Sequence, residues 1–258
     1  MVKSLLVATL VYAVVARKGF RVTDGIDLYP GGAAHMTDEN VLVVADMHLG
    51  VEAALEYQGL SVPRVQTRKI LKYMEETIER VRPERIVVAG DLKHNFDRNL
   101  TQEWQEVTKF VEQLAGRARL ETIKGNHDNF LNLILRELGV PPAKKELLVG
   151  DIRIVHGHVP VGRNGLTIMG HIHPSLRLRD AVGASVKNHC YLWEPEKQIL
   201  VLPALSILAA GVDVVSALDA GMSSPLFGTE GLADCYPILF SGERALKFPA
   251  VRELRGSV

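Results

Sequence analysis

Apolar positions in the first half of the chain alternate between strand-length runs and helical spacing. Three four-residue segments, which begin at Val41, Ile86 and Leu120, predict buried strands. Two helical faces are predicted by apolar residues three or four positions apart: Ile70, Leu71, Met74, Ile78 and Val81 in the first, and Trp104, Val107, Val111 and Leu114 in the second. Asp128 is placed to cap a third helix, which carries Leu131, Leu135 and Leu138. This βαβαβ order predicts parallel strands joined by right-handed crossovers.

The second half of the chain has short apolar segments separated by Gly and Pro residues. Strands are predicted at Ile152 to Val155, Leu166 to Met169, Tyr191 to Trp193 and Ile199 to Leu202. Together the two halves predict one α/β domain with two facing sheets and helices on the outer faces. No element is predicted for the Gly- and Ser-rich stretch from Gly211 to Gly231.

The N-terminus carries an apolar run from Leu5 to Ala16, flanked by Lys3 and Arg17. The run resembles the apolar region of a signal peptide, and it is too short to span a bilayer. The alternatives are an element packed on the domain or an overlong start of the coding region, and we favour these over export. Residues 1–40 are therefore predicted to be an N-terminal segment packed on the core, and residues 41–258 a single domain.

The composition limits the cellular compartment and the binding partners that we expect. The 258 residues include 30 Lys plus Arg and 30 Asp plus Glu, so no global charge favours a nucleic acid or a membrane surface as partner. Cys190 and Cys235 lack the spacing of metal ligands, and we predict that they are reduced core thiols, as in the cytoplasm. A single disulfide between them stays open as an alternative.

Five short polar motifs each follow a predicted strand. They are Asp46-Met47-His48, Gly90-Asp91-Leu92-Lys93-His94, Gly125-Asn126-His127-Asp128, His156-Gly157-His158 and Gly170-His171-Ile172-His173. Seven of the nine histidines lie in these motifs. Because loops at the carboxyl ends of α/β strands converge, we expect these side chains to form one site.

Residue types and spacing in these motifs point to bound metal ions. Asp46 and His48, like His171 and His173, are two positions apart, which places each pair on one face of an extended segment. Two close cations also need a bridging anion, for which Asp91 is the candidate. The mixture of carboxylate and imidazole suits manganese, iron or zinc, and manganese is our first choice.

The order of the motifs resembles the calcineurin-like metallophosphoesterase superfamily from Val41 to Pro174. The resemblance implies a four-layer α-β-β-α sandwich of two mixed sheets. It also implies two metal sites that share Asp91: the first is bound by Asp46, His48, Asp91 and His173, and the second by Asp91, Asn126, His156 and His171. His127 matches a histidine that is not a ligand but faces the scissile phosphate as a general acid or transition-state donor.

His94 stands where phosphoprotein phosphatases carry a second aspartate, which disfavours that subfamily and makes His94 a second candidate catalytic residue. The motif around it resembles the Gly-Asp-Leu-Phe-His of SbcD-type repair nucleases, with Lys93 in place of the aromatic residue. We expect Lys93 and His94 to contact phosphate oxygens, and His158 to support the ligands. A looser resemblance, carried by Gly170 to Pro174, Arg177 to Asp180 and Leu202 to Ser206, extends to compact phosphoesterases associated with DNA ligases.

The predicted function is therefore that of a dinuclear phosphodiesterase, in which a metal-bridging hydroxide attacks a nucleotide or nucleic acid. The alternatives are a phosphomonoesterase acting on a small phosphate ester and, from another class, a metal-binding scaffold without activity. A phosphate-ester substrate such as a nucleotide or DNA is the expected partner, and no membrane partner is expected. The sequence leaves the oligomeric state open.

Overall fold

A computed structural model describes residues 12–15, 19–98, 100–162, 165–179, 182–220, 224–228 and 231–255. The apolar run from Leu5 to Ala16 lies outside these residues except for strand β1, Tyr12–Val15. None of the helices in the described ranges is both long enough and apolar enough to cross a membrane.

A six-stranded mixed sheet carries the first three motifs. Its strands, in spatial and chain order, are β2 (Phe20–Thr23), β3 (Ile26–Leu28), β4 (Ala34–Met36), β5 (Val41–Val44), β6 (Arg85–Ala89) and β7 (Arg119–Ile123). The predicted strands β5, β6 and β7 are confirmed, and they pair in parallel. Strands β2 to β4 were not predicted and add antiparallel pairs ahead of β5. Because one sheet joins strands from both sides of residue 40, the proposed division there stays a prediction.

Four helices follow the strands of this sheet: α1 (Val51–Tyr57), α2 (Gln66–Val81), α3 (Thr101–Ala115) and α4 (Leu131–Glu137). The last three pack against its outer face, and α1 contacts α3. The predicted α2 and α3 are confirmed, whereas α1 was not predicted. Asp128 was expected to cap α4, and this is wrong, because the N-cap residue is Phe130 and no side chain caps the helix. The Asp128 carboxylate instead accepts hydrogen bonds from the amides of Asp91, Lys93 and Gly125.

The second half forms two further sheets. Its strands are β8 (Glu146–Val149), β9 (Ile152–Val155), β10 (Thr167–Met169), β11 (Pro174–Arg179), β12 (Ser185–His189), β13 (Tyr191–Glu194), β14 (Ile199–Val201), β15 (Val212–Asp213), β16 (Tyr236–Ser241) and β17 (Arg244–Lys247). The eight-stranded sheet has the order β1-β17-β16-β13-β14-β10-β9-β8, with β10 parallel to both β9 and β14. The small sheet β12-β11-β15 was not predicted.

Successive side chains of a strand point to opposite faces of the sheet, and this arrangement builds the helix and sheet layers on either side. On β5, Leu42 and Val44 face the helices, while Val41 and Val43 face the eight-stranded sheet. Helix α5 (Val214–Ala220) and the 3-10 helix at Val251–Leu254 cover the far side of that sheet. The α-β-β-α sandwich of two mixed sheets is therefore confirmed. Both cysteines are buried and free in the outer cluster, as predicted.

Candidate metal centre

The motif side chains meet between the two large sheets, at the carboxyl ends of their parallel strands. Asp46 and His48 follow β5, Asp91 follows β6, and Asn126 follows β7. From the facing sheet, His156 follows β9, and His171 and His173 follow β10. Hydrogen bonds from the amides of Asp46 and His48 to the carbonyls of Gly90 and Asp91 continue the β5–β6 pairing into the loops. The sheets therefore fix the loop stems.

Left-handed backbone brings these residues together. Nine described non-glycine residues have positive φ, and five of them are candidate ligands: Asp46, His48, Asp91, His171 and His173. The expectation that each ligand pair shares one face of an extended segment is therefore wrong. A left-handed residue other than glycine costs on the order of 1–3 kcal/mol, and such strain clusters at functional sites.

Glycine is required where this backbone passes closest to the ligands. A Cβ atom on Gly125 would lie 2.0 Å from Oδ1 of Asp91, and one on Gly90 would lie 2.3 Å from Nδ1 of His156. Both distances are far below van der Waals contact. The two glycines thus let the loops close around the carboxylate and the imidazole.

Four side chains form the first candidate metal set. Ligand atoms of Asp46, His48, Asp91 and His173 all lie within 4.8 Å of one another. Nε2 of His48 is 3.1 Å from Nε2 of His173, which is 3.4 Å from Oδ1 of Asp46. All but His173 are buried.

The donor atoms of this set fit a divalent cation. Oδ1 of Asp46, which faces Nε2 of His173, is buried and has no hydrogen-bond partner among the described residues. Burial lowers the pKa of His48 to about 3 and outweighs the opposing charges of Asp46 and Asp91. His48 is therefore neutral, which is the form that binds a metal.

A second set adjoins the first through Asp91. Nε2 of His156 lies 3.0 Å from Oδ1 of Asn126 and 3.4 Å from Oδ2 of Asp91. The ring centroid of His171 is 4.9 Å from that of His156. Since the same Oδ2 atom of Asp91 is 3.8 Å from Nε2 of His48, one carboxylate reaches both sets.

Protonation differs sharply among the site histidines. Burial opposes the charge on His156, but the hydrogen bond with Asp91 and the charges of Asp46 and Asp91 prevail and raise its pKa to about 9. His156 in turn holds the pKa of Asp91 below its usual value, against the effect of burial. Burial lowers the pKa of His171 to about 4. Protonated His156 thus carries a positive charge that offsets the negative charges of Asp46 and Asp91.

His127 lies at the rim of the site with one ring nitrogen engaged. Its Nδ1 is 2.5 Å from the carbonyl oxygen of His94. Because a carbonyl oxygen can only accept, Nδ1 carries a hydrogen and donates this hydrogen bond. Nε2 is 4.0 Å from Oδ2 of Asp91, and the side chain is 30% exposed. The free face of His127 therefore opens toward solvent beside Asp91.

His94 stacks on His127, with ring centroids 5.7 Å apart. Ring nitrogens of His48, His94 and His127 also lie within 4.8 Å of one another, so distance alone does not separate His94 and His127 from the ligands. The hydrogen bond of Nδ1 does not separate His127 either, because the ligand candidate His156 donates from Nδ1 to the carbonyl oxygen of Ala89 in the same way. The non-ligand role of His127 stays a prediction. Burial, with the charges of His127 and Lys93, lowers the pKa of His94 to about 4.

Comparison with known proteins agrees with this geometry. A family model described as calcineurin-like phosphoesterase matches residues 39–196. The chain belongs to the calcineurin-like phosphoesterase family. It is a metal-dependent hydrolase of phosphoric esters.

Solved structures with this phosphoesterase fold have distant sequences. The nuclease MPE of Pseudomonas putida superimposes with a TM-score of 0.61 at 17% identity, covering 89% of this chain and 96% of that one. The phosphoesterase Yfce of E. coli gives a TM-score of 0.39 at 15% identity, covering 67% and 83%. No curated protein matched the chain. At such identities the likeness to MPE establishes the shared fold.

Lys93 of this phosphoesterase does not face the substrate side. Its side chain is fully buried, with Nζ 3.5 Å from Oε2 of Glu103 on α3. Nζ also donates to the carbonyl oxygens of Asn95 and His127. The expectation that Lys93 would contact phosphate oxygens is wrong, because its charge is held inside the fold.

Sequence reasoning missed a support built on Gln66, a buried residue that begins α2. Its Nε2 donates to the carbonyl oxygens of Met47 and His48, and its Oε1 accepts from the hydroxyl of Ser206. The amide of Ser206 donates to the carbonyl oxygen of Asp46. Ser206 is the last residue of the segment from Leu202, which carried the looser resemblance to compact phosphoesterases. That resemblance was the sequence signal that could have indicated this support.

The other histidines of the phosphoesterase lie beside or outside the site. The ring of His158 is 5.1 Å from that of His156, consistent with a supporting position. His35 bonds to Asn40, and both ring nitrogens of His189 bond to backbone carbonyls. His35 and His189 thus make structural contacts outside the site.

Proposed function

We propose that this phosphoesterase hydrolyses phosphodiester bonds in nucleotides or nucleic acid with two divalent cations, manganese first among them. The observation that carries the proposal is the position of Asp91, whose single Oδ2 atom lies 3.8 Å from His48 and 3.4 Å from His156. A shared carboxylate between two ligand sets is what a dinuclear site requires.

Each site residue has a stated role in this proposal. Asp46, His48 and His173 hold the first cation, while Asn126, His156 and His171 hold the second. When bound, the cations neutralise charge on the phosphate oxygens and lower the pKa of the water that attacks phosphorus. His127 presents Nε2 to the leaving oxygen, because the His94 carbonyl holds its Nδ1–H. In its imidazolium form His127 gives the Nε2 proton to that oxygen and keeps the Nδ1 proton.

Position 94 favours a diester over a monoester. A carboxylate there would repel the phosphate, whereas His94, with its pKa lowered to about 4, is neutral at pH 7. Oxygen atoms of a diester carry less charge than those of a monoester and need fewer cationic partners. We propose that His94 contacts the substrate as a neutral hydrogen-bonding group.

Exposed aromatic side chains beside the site favour a substrate with bases. Phe96 is 57% exposed and follows His94 by two residues, and Phe130 is 47% exposed. The side chain of Asn129 donates to the carbonyl oxygen of Phe96, which joins the loops that carry His94 and His127. Aromatic rings next to a catalytic centre stack on bases of single-stranded nucleic acid. The fold shared with a nuclease is compatible with such a substrate.

The test compares bis-p-nitrophenyl phosphate with p-nitrophenyl phosphate in manganese, then single-stranded DNA and cyclic nucleotides. We expect preferential hydrolysis of the diester and cleavage of at least one natural diester. A preference for the monoester without cleavage of any diester would instead identify a phosphomonoesterase. We also propose a cytoplasmic location, which agrees with the two free cysteines.

A further inference from the structure

A buried ion pair lies directly behind the proposed catalytic histidine. The Lys93 side chain is 0% exposed and that of Glu103 is 1% exposed, and their charged atoms are 3.5 Å apart. Burying two charges costs several kcal/mol per ion, and the attraction between them offsets this only with good supporting hydrogen bonds. Apolar replacement of such pairs is often neutral or stabilising, so stability alone is a weak reason for this pair.

Each charge holds backbone from the catalytic loops. Oε1 of Glu103 accepts hydrogen bonds from the amide of His94 at 2.9 Å and from the amide of Asn95 at 2.6 Å. Nζ of Lys93 donates to the carbonyl oxygen of Asn95 and, at 3.3 Å, to that of His127. The pair therefore fastens the loop after β6 to the loop after β7.

These bonds converge on the orientation of His127. Its ring donates from Nδ1 to the His94 carbonyl, and the amide of that same residue is held by Glu103. Its own carbonyl is held by Lys93. Ring and backbone of His127 are thus both anchored, directly or through one residue, to the ion pair.

We propose that Lys93 and Glu103 are positioning residues that hold the ring of His127 with Nδ1–H bonded to the His94 carbonyl, so that Nε2 faces the substrate and, in the imidazolium form, carries the proton for the leaving oxygen. Only their effect on turnover rests on the proposed function; their effect on the ring of His127 does not. An apolar side chain at position 93 would fill the space but would offer no donor to the His127 carbonyl.

The decisive variant is the double substitution Lys93→Met with Glu103→Gln, which removes both charges and nearly preserves volume. The glutamine oxygen can still accept the loop amides, so the main loss is the donor to His127. The matched control is Lys72→Met with Glu76→Gln, the same change in an exposed ion pair on α2. Nitrogen NMR of the zinc-loaded and metal-free proteins reports which ring nitrogen of His127 is protonated, with His127→Ala assigning the signal.

In the double variant we expect a mixed tautomer at His127, unchanged metal content, and a kcat on bis-p-nitrophenyl phosphate that falls ~10²-fold with little change in KM, since small misplacement of a catalytic group has that effect. The control should match the wild type. Wild-type kcat with an unchanged Nδ1 signal, or loss of metal with that signal intact, overturns the proposal. If the wild type cleaves no diester, the proposed function fails while the NMR result still decides the positioning role.

A second variant covers the case in which the first does not fold. Lys93→Met with Glu103→Leu removes both polar side chains of the pair, and apolar replacement of buried ion pairs is often neutral or stabilising. The same NMR and kinetic measurements apply, and the expected loss is at least as large because the loop amides lose their acceptor as well. A native-like tautomer and kcat in this variant would equally reject the positioning role.

Discussion

Nε2 of His156 lies 3.4 Å from Oδ2 of Asp91. Burial lowers the pKa of this imidazole, but the contact with Asp91 and the charge of Asp46 outweigh burial and raise the pKa to about 9. A metal ligand must be neutral, so a cation that binds here has to displace the proton. At pH 7 we expect about one proton released from His156 per metal-loaded chain, and tighter binding as pH rises toward 9. Calorimetry at pH 7 in buffers of different ionisation enthalpy measures this release. Metal binding without proton release at pH 7 would contradict the protonated state.

The same shift makes the stability of the metal-free protein depend on pH. The pKa of His156 in the folded protein, about 9, lies above the ordinary histidine value of about 6.5. Its contribution to stability is fully present below pH 6.5 and is lost as pH rises through 9. We expect the melting temperature of the metal-free chain to fall across this window, and His156→Asn to flatten the dependence. Equal slopes in both proteins would assign the effect to other groups.

Asp91→Asn should remove both metal ions together, because the amide supplies one neutral oxygen where the carboxylate reached two ligand sets. Elemental analysis of the purified proteins should give about two ions per wild-type chain and fewer than one in the variant. Asp97→Asn, an exposed carboxylate in the same loop region, is the control and should keep both ions. One tightly held ion in the wild type, unchanged in Asp91→Asn, would exclude the bridge.

His127→Ala should keep the metals and lose turnover. Removal of one general acid lowers kcat by ~10²–10⁴-fold, and the residue is outside both proposed ligand sets. The control, His35→Ala, changes a histidine of the six-stranded sheet whose ring bonds to Asn40. A His127→Ala protein with full turnover, or one without metal, would reject the assignment.

Phe96→Ala should weaken the binding of single-stranded DNA more than the binding of a small phosphodiester. Loss of one stacked base weakens binding by about 1–3 kcal/mol, so KM for single-stranded DNA should rise ~10-fold or more. The KM for bis-p-nitrophenyl phosphate should change less, because its two nitrophenyl rings offer a smaller stacking surface than the successive bases of a strand. Leu148→Ala, an exposed apolar residue of β8, is the matched control. Parallel changes for both substrates would show that Phe96 supports the loop and does not stack.

Much of the fold could be predicted because β5 and β6 are buried on both faces and read as apolar runs. The sheet β12-β11-β15 could not, since Arg177 and Lys187 face each other across it and their segments carry no apolar run. The motif residues were found by residue type and order. Their geometry was not, because spacing arguments assume extended backbone and Asp46 and His48 are left-handed.

The position of Lys93 was also beyond sequence reasoning. Its partner Glu103 lies ten positions away on α3, and only the packing of that helix against the loop after β6 buries the two charges together. A lysine beside metal ligands is expected to reach substrate phosphate, and nothing in the local pattern contradicts this expectation. The same dependence on packing turned Asp128 from a predicted helix cap into an acceptor for loop amides.

Asp128, a fully buried carboxylate, accepts the amides of Asp91 and Lys93 from one loop and of Gly125 from the other. Neither loop can move away without leaving that carboxylate unpaired in the interior, which is costly. The two loops should therefore open as one cooperative unit. Amide hydrogen exchange at Asp91, Lys93 and Gly125 should report a single opening free energy, and Asp128→Ala should lower all three by the same amount. Independent exchange rates at the three amides would mean that the loops move separately.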